Sequence, residues 1–465
     1  MKIALIDPSL LSPTYSSMAN EPLGLCYLAA VAKQAGHEVK IFQRLDLSNE
    51  TFLNNIIKFK PDVCALSVLT STLKNSLTLS RKLKQALKCK IIFGGPHPSG
   101  DPEVVVNKCV DFVVLGEGEA IFVELLQKIK NGKFNPNEVK GISFLNKGKV
   151  VITEPRLRIQ NIDELSLPYR EGLPWHKYKR LISSIPLSRQ RFSVMLTSRG
   201  CPFNCSFCVS PLIWKQKLIC RSPKKVVEEI KYLIKKYKVN YIRFLDNDFM
   251  VNEEHALAVC DEIIKQKIKI SWACFGSLRR VSDLLLKKMK KAGCLEIFYG
   301  IESLSQKNLN DVDKKLVFEN INVGLKKTEN AGLASMGSIL LGYPDDTEED
   351  MERTEKILTT LPLDILQLAF VIPYPGTMMR KQLKRGELMT ENTDLYDSQI
   401  PVLKSKLSSK RLIYWKKRLY SSFFYSPHYI ERMKRRTREY PELKTLYKNL
   451  MILVKDHLHI KNNYK

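Results

Sequence analysis

The sequence has no uninterrupted apolar run of the roughly 18 to 20 residues that a membrane-spanning helix needs. Its apolar stretch Pro22–Ala32 follows the acidic residues Asp7 and Glu21 and starts too late for a secretory signal, so we interpret it as a buried helix. The 11 cysteines are an odd number, which argues against a disulfide framework. We therefore expect reduced thiols and a cytoplasmic protein, whose membrane contacts, if any, are peripheral.

Acidic residues are scarce beside basic ones, with 48 Asp and Glu against 75 Lys and Arg and a formal net charge of +27. This excess attracts acidic partners in general without naming one. Residues 401–465 contain 17 Lys and Arg but 4 Asp and Glu. Because charge runs are usually solvated faces, we predict a basic helical region over residues 391–465 that covers the preceding domain, with a site for an anionic partner as the alternative. We do not expect a nucleic-acid partner.

Glycine and proline, at 21 and 22 residues of 465, are too few for a collagen-like or low-complexity chain. Residues 1–140 alternate short β-rich runs with helical patterns, and the runs are 2–6, 37–42, 62–68, 90–93 and 110–115. Strands separated by helices imply right-handed crossovers, hence an α/β domain with a doubly wound (Rossmann-like) parallel sheet. Ligands bind beyond the carboxyl ends of such strands, where we predict the loops Gly94–Pro98 and Gly116–Glu119.

A hairpin and a linker are predicted over residues 141–190, with the hairpin turn at residues 146–148. A second series of strands follows in residues 191–390, at 193–197, 239–245, 268–275, 294–299, 334–341 and 364–372. Helical patterns separate them; one begins at the N-cap Ser222 with Pro223 in its first position. Six such units predict a partial (β/α)6 TIM-type barrel, whose chemistry belongs at the carboxyl ends of its strands.

Three cysteines, Cys201, Cys205 and Cys208, stand in a C-x3-C-x2-C spacing directly after a predicted strand. Thiolates this close can converge on one soft metal centre. A structural zinc site wants four protein ligands, whereas three thiolates on an iron–sulfur cluster leave one iron open to a further ligand. Cys220 as a fourth thiolate would instead give a zinc-stabilised binding module without turnover, and iron and sulfide analysis separates the two hypotheses.

This motif and the barrel pattern around it resemble the radical S-adenosylmethionine (SAM) enzymes over about residues 190–390. The resemblance implies a [4Fe-4S] cluster on the three cysteines, with its open iron chelated by the amino and carboxylate groups of SAM. Electron transfer then cleaves the sulfonium and yields a 5′-deoxyadenosyl radical. It also implies an electron donor such as flavodoxin or ferredoxin as a partner.

The resemblance further implies a set of SAM contacts in chain order: Phe207 beside the adenine, Asp246 and Asp248 at the amino group, Arg279 at the carboxylate, Gly300 and Glu302 at the ribose, and Gly337 and Gly342 against the adenine. Other interpretations stay open at this point. The two aspartates also suit an N-cap and turn. Arg279 also suits an exposed surface, and two glycines on one strand are a weak signal by themselves.

Asp7–Pro8, Pro22–Leu25, Gly94–His97 and Leu115–Glu119 together resemble the cobalamin-binding domain that precedes the barrel in one large subfamily. The contacts thereby implied are Gly24, Gly94, Gly95, His97, Gly116, Glu117, Gly118 and Glu119. The D-x-H-x-x-G motif that supplies a histidine to cobalt in other cobalamin proteins is absent, since no histidine lies between His37 and His97. The resemblance therefore implies cobalamin without a histidine below the cobalt, and His97 also suits a plain turn.

The activity that this resemblance implies is methyl transfer to an unactivated carbon of a small-molecule or lipid substrate. A ring-forming or rearranging radical enzyme on the same scaffold is the first alternative. An RNA methylthiotransferase-like enzyme is another, and its second cluster would need cysteines such as Cys26 and Cys64. Both lie in apolar patterns, where cysteine is usually a small core residue. The sequence predicts neither the substrate nor catalytic residues beyond the cluster ligands.

Overall fold

The computed structural model describes residues 1–10, 20–132, 135–179, 185–186 and 188–459. Residues 180–184 and 187 of the predicted linker, and 460–465 of the predicted basic region, lie outside the described residues. The two predicted sheets and the helical C-terminal region are all present, which confirms the fold class.

The N-terminal sheet has seven strands in the order β2-β1-β3-β4-β5-β6-β7. They are β1 (Lys2–Leu10), β2 (Glu38–Leu45), β3 (Val63–Ser67), β4 (Lys90–Gly94), β5 (Phe112–Val114), β6 (Ile142–Asn146) and β7 (Lys149–Ile152). The first five are parallel, and β6 and β7 form the predicted hairpin. Because β6 pairs antiparallel with β5, with Val113 opposite Ser143, the hairpin extends this sheet beyond the predicted boundary at residue 140.

Five helices accompany this sheet: α1 (Leu23–Gln34), α2 (Asn49–Phe59), α3 (Leu73–Ala86), α4 (Pro96–Gly100) and α5 (Glu119–Asn131). The buried α1 confirms our interpretation of the early apolar stretch. Helix α4 replaces most of the loop predicted after β4, because Pro96 suits the first helical position. Cys26 and Cys64 are fully buried in apolar clusters, and Cys64 Sγ lies 3.9 Å from Cys89 Sγ, so these cysteines act as core residues.

The second sheet is parallel and six-stranded, in the order β15-β14-β13-β12-β11-β8. Its strands are β8 (Phe192–Met195), β11 (Tyr241–Phe244), β12 (Ser271–Gly276), β13 (Cys294–Glu302), β14 (Ala334–Leu341) and β15 (Ile365–Phe370). This is the predicted partial barrel, with each strand at its predicted place. The short strands β9 (Ser198–Arg199) and β10 (Ile219–Cys220) pair antiparallel, so the segment with the three cysteines leaves and returns at one point.

The helices of this part are α6 (Ser210–Trp214), α7 (Pro223–Tyr237), α8 (Glu253–Lys265), α9 (Asp283–Lys291), α10 (Gln306–Asp311), α11 (Glu319–Asn330), α12 (Glu348–Leu358) and α13 (Met378–Gln382). Helix α7 begins as predicted, with the Ser222 hydroxyl accepting from the Lys225 amide. Alternate strand residues such as Ile297 and Ile339 form the core between the sheet and these helices. The other face of each strand therefore lines the barrel interior.

The two α/β parts pack through a shared apolar cluster and a buried ion network. Tyr27 of α1 packs in one cluster with Val194 and other barrel residues. Arg170 of the linker is fully buried and bridges the parts, since its Nε donates to Glu21 at 2.9 Å and its Nη2 donates to Glu229 of α7 at 2.8 Å. Removing one partner of a buried ion pair lowers the stability of a protein by several kcal/mol. This network therefore fixes the N-terminal domain against the barrel.

The C-terminal region is helical, as predicted, with α14 (Ser409–Phe424), α15 (Pro427–Glu439) and α16 (Leu443–His459). Trp415 and Phe423 of α14 are buried in the barrel's outer core. Arg432 and Arg436 of α15 are buried and each lies 3.1 Å from Asp364, so part of the basic excess is structural. None of the helices, so far as the chain is described, is long and apolar enough to cross a membrane.

Candidate functional site

The three cysteines lie on the loop that follows β9, at the carboxyl ends of the barrel strands. Two donors point at their sulfurs: the Ser210 amide lies 3.4 Å from Cys208 Sγ, and Arg279 Nη2 lies 3.6 Å from Cys205 Sγ. Burial raises the pKa of all three thiols, that of Cys208 to about 11, while Arg279 and Lys314 act in the opposite direction on Cys205. These thiols would therefore lose their protons most readily when a positively charged metal centre binds them and stabilises the thiolates.

The zinc hypothesis finds no support in this arrangement. In the described parts of the chain, no three His, Cys, Asp or Glu side chains are close enough together to hold one metal ion. Cys220 instead belongs to β10, where it stands opposite Ser198 of β9. A four-iron cluster does not require that the thiolates share one ion, because each thiolate ligates its own iron.

Arg279 belongs to this site and is half-buried, with 13% of its side chain exposed. Its Nε donates to the Lys314 carbonyl at 2.8 Å, and its guanidinium lies 3.6 Å from the centre of the Phe203 ring. Its Nη1 is 3.8 Å from Asp248 Oδ2. A guanidinium held in this way beside Cys205 suits a carboxylate ligand.

The two aspartates after β11 differ in what they contact. Asp246 is fully buried and accepts hydrogen bonds from the amide and hydroxyl of Thr197 and from the Ser198 hydroxyl, so it secures the strand that leads into the cysteine loop. Asp248 is also buried, but its Oδ2 has no hydrogen-bond partner. Burial raises the pKa of both carboxyls. An orphaned carboxylate oxygen beside the cysteine loop fits an ammonium ligand, and Asp248 is the aspartate that offers one.

Glu302 ends β13 in a left-handed conformation, with φ of 68°, which is uncommon for a residue with a side chain. Its Oε1 accepts from Lys314 Nζ at 2.8 Å, and both side chains are largely buried. Gly300 lies on the same side, because a Cβ there would stand 2.3 Å from Glu302 Oε1. The predicted ribose contacts are therefore adjacent, and Glu302 already has a cationic partner.

The other predicted SAM contacts are spread over two faces. Phe207 is half-buried and packs against a cluster that includes Val312 and Tyr343. Gly337 faces the outer helix layer, since a Cβ there would stand 2.8 Å from Ile301 Cδ1. Gly342 has φ of 83° and lies against Leu412 of α14. A side chain at either position would therefore meet close neighbours, and the positive φ of Gly342 also favours glycine.

A cavity of about 390 Å³ lies between the N-terminal domain and the barrel. Seven of the eight predicted cobalamin contacts line it: Gly24, Gly94, Gly95, Gly116, Glu117, Gly118 and Glu119. The barrel side supplies Leu196, Arg199, Trp214, Leu245 and Asn247. Gly95 needs to be glycine, because its φ is 105° and a Cβ would stand 3.2 Å from the Val68 backbone. An apolar cavity with backbone walls at the carboxyl ends of parallel strands is where doubly wound domains bind their ligands.

His97 is the exception among those eight residues, because it is not part of the cavity lining. It is buried in α4, where its Nδ1 lies 3.2 Å from Thr70 Oγ1 and its Nε2 lies 3.8 Å from Asp101. Burial lowers its pKa. The histidine therefore has structural contacts outside the cavity lining, and its contact with the cofactor stays a prediction.

Glu117 and Glu119 line the cavity, but their carboxylates are engaged across the domain boundary. Arg199 Nη2 donates to Glu119 at 2.7 Å and its Nη1 donates to Glu117 at 3.2 Å. Arg158 of the linker adds a bond from its Nε to Glu117 at 3.1 Å. Since Arg199 stands two residues before Cys201, one ion network connects the cavity wall to the cysteine loop.

Sequence reasoning missed several residues of this site. Arg199 stands two residues before Cys201, and this position was its only signal in the sequence. Lys314, which pairs with Glu302, and Phe203, which stacks on Arg279, carried none, because only the fold brings them together. Asn247 stands between Asp246 and Asp248, and together with Leu245 it lines the cavity.

Comparison with known proteins gives a family match for the N-terminal domain and one for the barrel. A model of the B12-binding domain matches residues 17–126, and a model of the radical SAM superfamily matches residues 195–358. An uncharacterized methyltransferase of Pyrococcus horikoshii is 34% identical over 443 residues, covering 92% of this chain and 93% of that protein. An anaerobic magnesium-protoporphyrin IX monomethyl ester cyclase of Rubrivivax gelatinosus is 27% identical over 421 residues, covering 87% and 74%.

Among solved structures, the radical SAM methyltransferase TsrM from Kitasatospora setae, with cobalamin and a [4Fe-4S] cluster bound, has a TM-score of 0.72. It covers 96% of this chain and 90% of its own at 16% identity. At this identity the likeness establishes a shared fold over both α/β parts.

Proposed function

The chain belongs to the radical SAM family whose members carry an N-terminal B12-binding domain, and on this premise we propose that it transfers a methyl group to an unactivated carbon of a small-molecule or lipid substrate. In this reaction the cluster with SAM would supply the radical, and cobalamin would supply the methyl group. The P. horikoshii relative, described as a methyltransferase, supports this reaction type.

One observation carries the proposal: the segment that leaves β11 reaches both sites. Leu245 and Asn247 line the cavity at the N-terminal domain, while Asp248 lies beside Arg279 and the cysteine loop. Methyl transfer requires that the radical source and the methyl donor reach the same carbon. A four-residue segment that borders both places meets this requirement.

The protein's own residues divide the work between the two sites. We assign Cys201, Cys205 and Cys208 to the cluster. Asp248, with its orphaned oxygen, would bind the SAM ammonium, Arg279 its carboxylate, and Glu302 its ribose. Gly95 and Gly116 line the cavity with positive φ, and the corrin would contact the backbone at these two positions.

No His, Cys or Met side chain lines the described wall of the cavity. We therefore propose that cobalamin is held without a histidine below the cobalt. An electron donor such as flavodoxin or ferredoxin would deliver the reducing electron, and the basic excess of the chain suits acidic proteins of this kind.

The experiment that tests methyl transfer counts two products of SAM. Protein purified without oxygen, reconstituted with iron, sulfide and hydroxocobalamin, is incubated with SAM and titanium(III) citrate. A methyltransferase releases S-adenosylhomocysteine, from SAM that gave up its methyl group, in addition to 5′-deoxyadenosine. A Gly116→Val variant should lose the first product and keep the second. Release of 5′-deoxyadenosine alone by the cobalamin-loaded protein would contradict methyl transfer.

The second candidate is a ring-forming radical enzyme on the same scaffold. The observation in its favour is the R. gelatinosus cyclase, which matches 87% of this chain. A cyclase would release 5′-deoxyadenosine without S-adenosylhomocysteine, so the same experiment distinguishes the two functions.

A further inference from the structure

A second cleft, of about 560 Å³, lies at the outer edge of the N-terminal sheet. It runs along the edge strand β2 between α2 and linker residues 172–177, and it shares no lining residue with the cavity between the domains. Its volume is that of an ordinary small-molecule site, for which roughly 300 to 1,000 Å³ is typical. Nothing in the proposed reaction uses it.

Arg44, in the wall of this cleft, is a buried cation without a counter-ion. It is 8% exposed, and its one hydrogen bond is a long one, from Nε to the Leu47 carbonyl at 3.5 Å. No carboxylate in the described part of the chain lies within 4.0 Å of its guanidinium. Burial without a compensating charge lowers its pKa. Buried cations are normally paired, because desolvation costs several kcal/mol per ion.

The charges around Arg44 add to this imbalance. Lys40 and Lys58 also line the cleft, and neither forms an ion pair with a described residue. Lys177 lines it too, but already pairs with Asp46. Lysines on an edge strand commonly serve to prevent strand pairing, which accounts for the exposed Lys40. It does not account for Arg44, since a buried guanidinium repels no approaching strand.

The remaining lining is apolar and aromatic. Phe42, Phe52 and Phe59 contribute rings, and Leu47 and Leu173 contribute aliphatic surface. We propose that this cleft binds a small soluble organic anion, in which a phosphate or carboxylate pairs with Arg44 and an apolar body packs on the phenylalanines. A guanidinium with two unused terminal nitrogens can hold either anion through two parallel hydrogen bonds.

The probe for this site is phenyl phosphate, titrated into the reconstituted holoenzyme at low ionic strength, with inorganic phosphate in a parallel titration. We expect phenyl phosphate to bind more tightly than inorganic phosphate and to raise the temperature of unfolding. Arg44→Met should weaken phenyl phosphate binding about ten-fold or more, because a charge-assisted pair is lost. Arg385→Met removes the same charge at an exposed position and should leave binding unchanged.

The unfolding temperature of the ligand-free proteins is a second readout. It distinguishes a ligand-binding arginine from one that stabilises the fold. Since Arg44→Met replaces an unpaired buried charge with an apolar side chain, the variant without ligand should unfold at the same temperature as wild type or higher. A lower unfolding temperature together with unchanged phenyl phosphate affinity would overturn the proposal, and so would the absence of phenyl phosphate binding. Binding only to vesicles of phosphatidylglycerol would overturn the assignment to a soluble ligand.

Discussion

The two halves of the candidate active site differ in the side chains that line them. The barrel half is built from charges: Asp248, Arg279, Glu302 and Lys314 surround the cysteine loop. The N-terminal half is built from backbone and apolar side chains, with glycines at its wall and its two carboxylates turned to Arg199. Charged side chains suit the ammonium and carboxylate groups of SAM, whereas backbone and apolar walls suit a large rigid ring. Damage to one half should therefore spare the other.

The largest difference between the effects on the two halves should come from variants of the cluster ligands. Cys201→Ala, Cys205→Ala and Cys208→Ala should each abolish cluster assembly and SAM cleavage, since no other thiol lies in the loop. Cobalamin retention should persist in all three. Iron and sulfide content and 5′-deoxyadenosine release are the measurements. The buried core variants Cys64→Ala and Cys260→Ala are the controls, and SAM cleavage by any of the three loop variants would refute the assignment.

Gly116→Val should have the converse effect, in which the N-terminal half is damaged and the barrel half is spared. Its φ of 79° disfavours a side chain, and a valine would extend into the cavity, so we expect loss of cobalamin with iron content unchanged. Gly148→Val is a matched control, because Gly148 has φ of 80° with nothing within 4 Å of a Cβ. The wild-type protein should retain cobalamin through gel filtration with a spectrum that shows no histidine ligand. If Gly148→Val also lost cobalamin, backbone strain alone would explain the effect.

Local sequence patterns predicted some parts of the two halves, and contacts that only the fold creates escaped prediction. Strands, the cysteine loop and the glycine wall follow from local patterns, which is why seven of eight predicted cavity residues line the cavity. His97 lies outside this lining because α4 turns it toward Thr70, a contact that no local pattern encodes. Gly337 is another such case, since strand register decides which face a residue takes.

Arg199 couples the two halves, and its loss should affect both. Arg199→Gln would leave the buried Glu119 without its cation and Glu117 with Arg158 alone, so we expect the free energy of unfolding to fall by about 3 to 5 kcal/mol. Denaturant unfolding measures this. Arg156→Gln breaks a more exposed pair with Glu124 and should cost about 1 kcal/mol or less. If both variants lowered the free energy of unfolding equally, the ion network of Arg199 would contribute no more than an exposed ion pair.

A smaller effect, confined to the charged half, is expected for Glu302→Gln. It removes one charged acceptor while preserving shape, so SAM affinity should fall by about 1.5 to 3 kcal/mol, on the order of ten-fold or more. Iron content and cobalamin retention should not change. Glu254→Gln on the exposed side of α8 is the control. Unchanged SAM affinity would leave Glu302 as the structural partner of Lys314.

The smallest effect on the site is expected from Gly337→Ala, which distinguishes the two faces of the barrel sheet. A Cβ at Gly337 meets Ile301 and Leu363 in the outer core, so the variant should lose about 1 to 3 kcal/mol of stability and keep its SAM affinity. Gly300→Ala is the matched change on the inner side, where the Cβ meets Glu302 and Lys314 and should weaken SAM binding. Calorimetric titration with SAM and thermal unfolding of both variants decide the matter. If Gly337→Ala weakened SAM binding as much as Gly300→Ala, this strand would contact the adenine as the sequence motif implies, and its outer packing would be incidental.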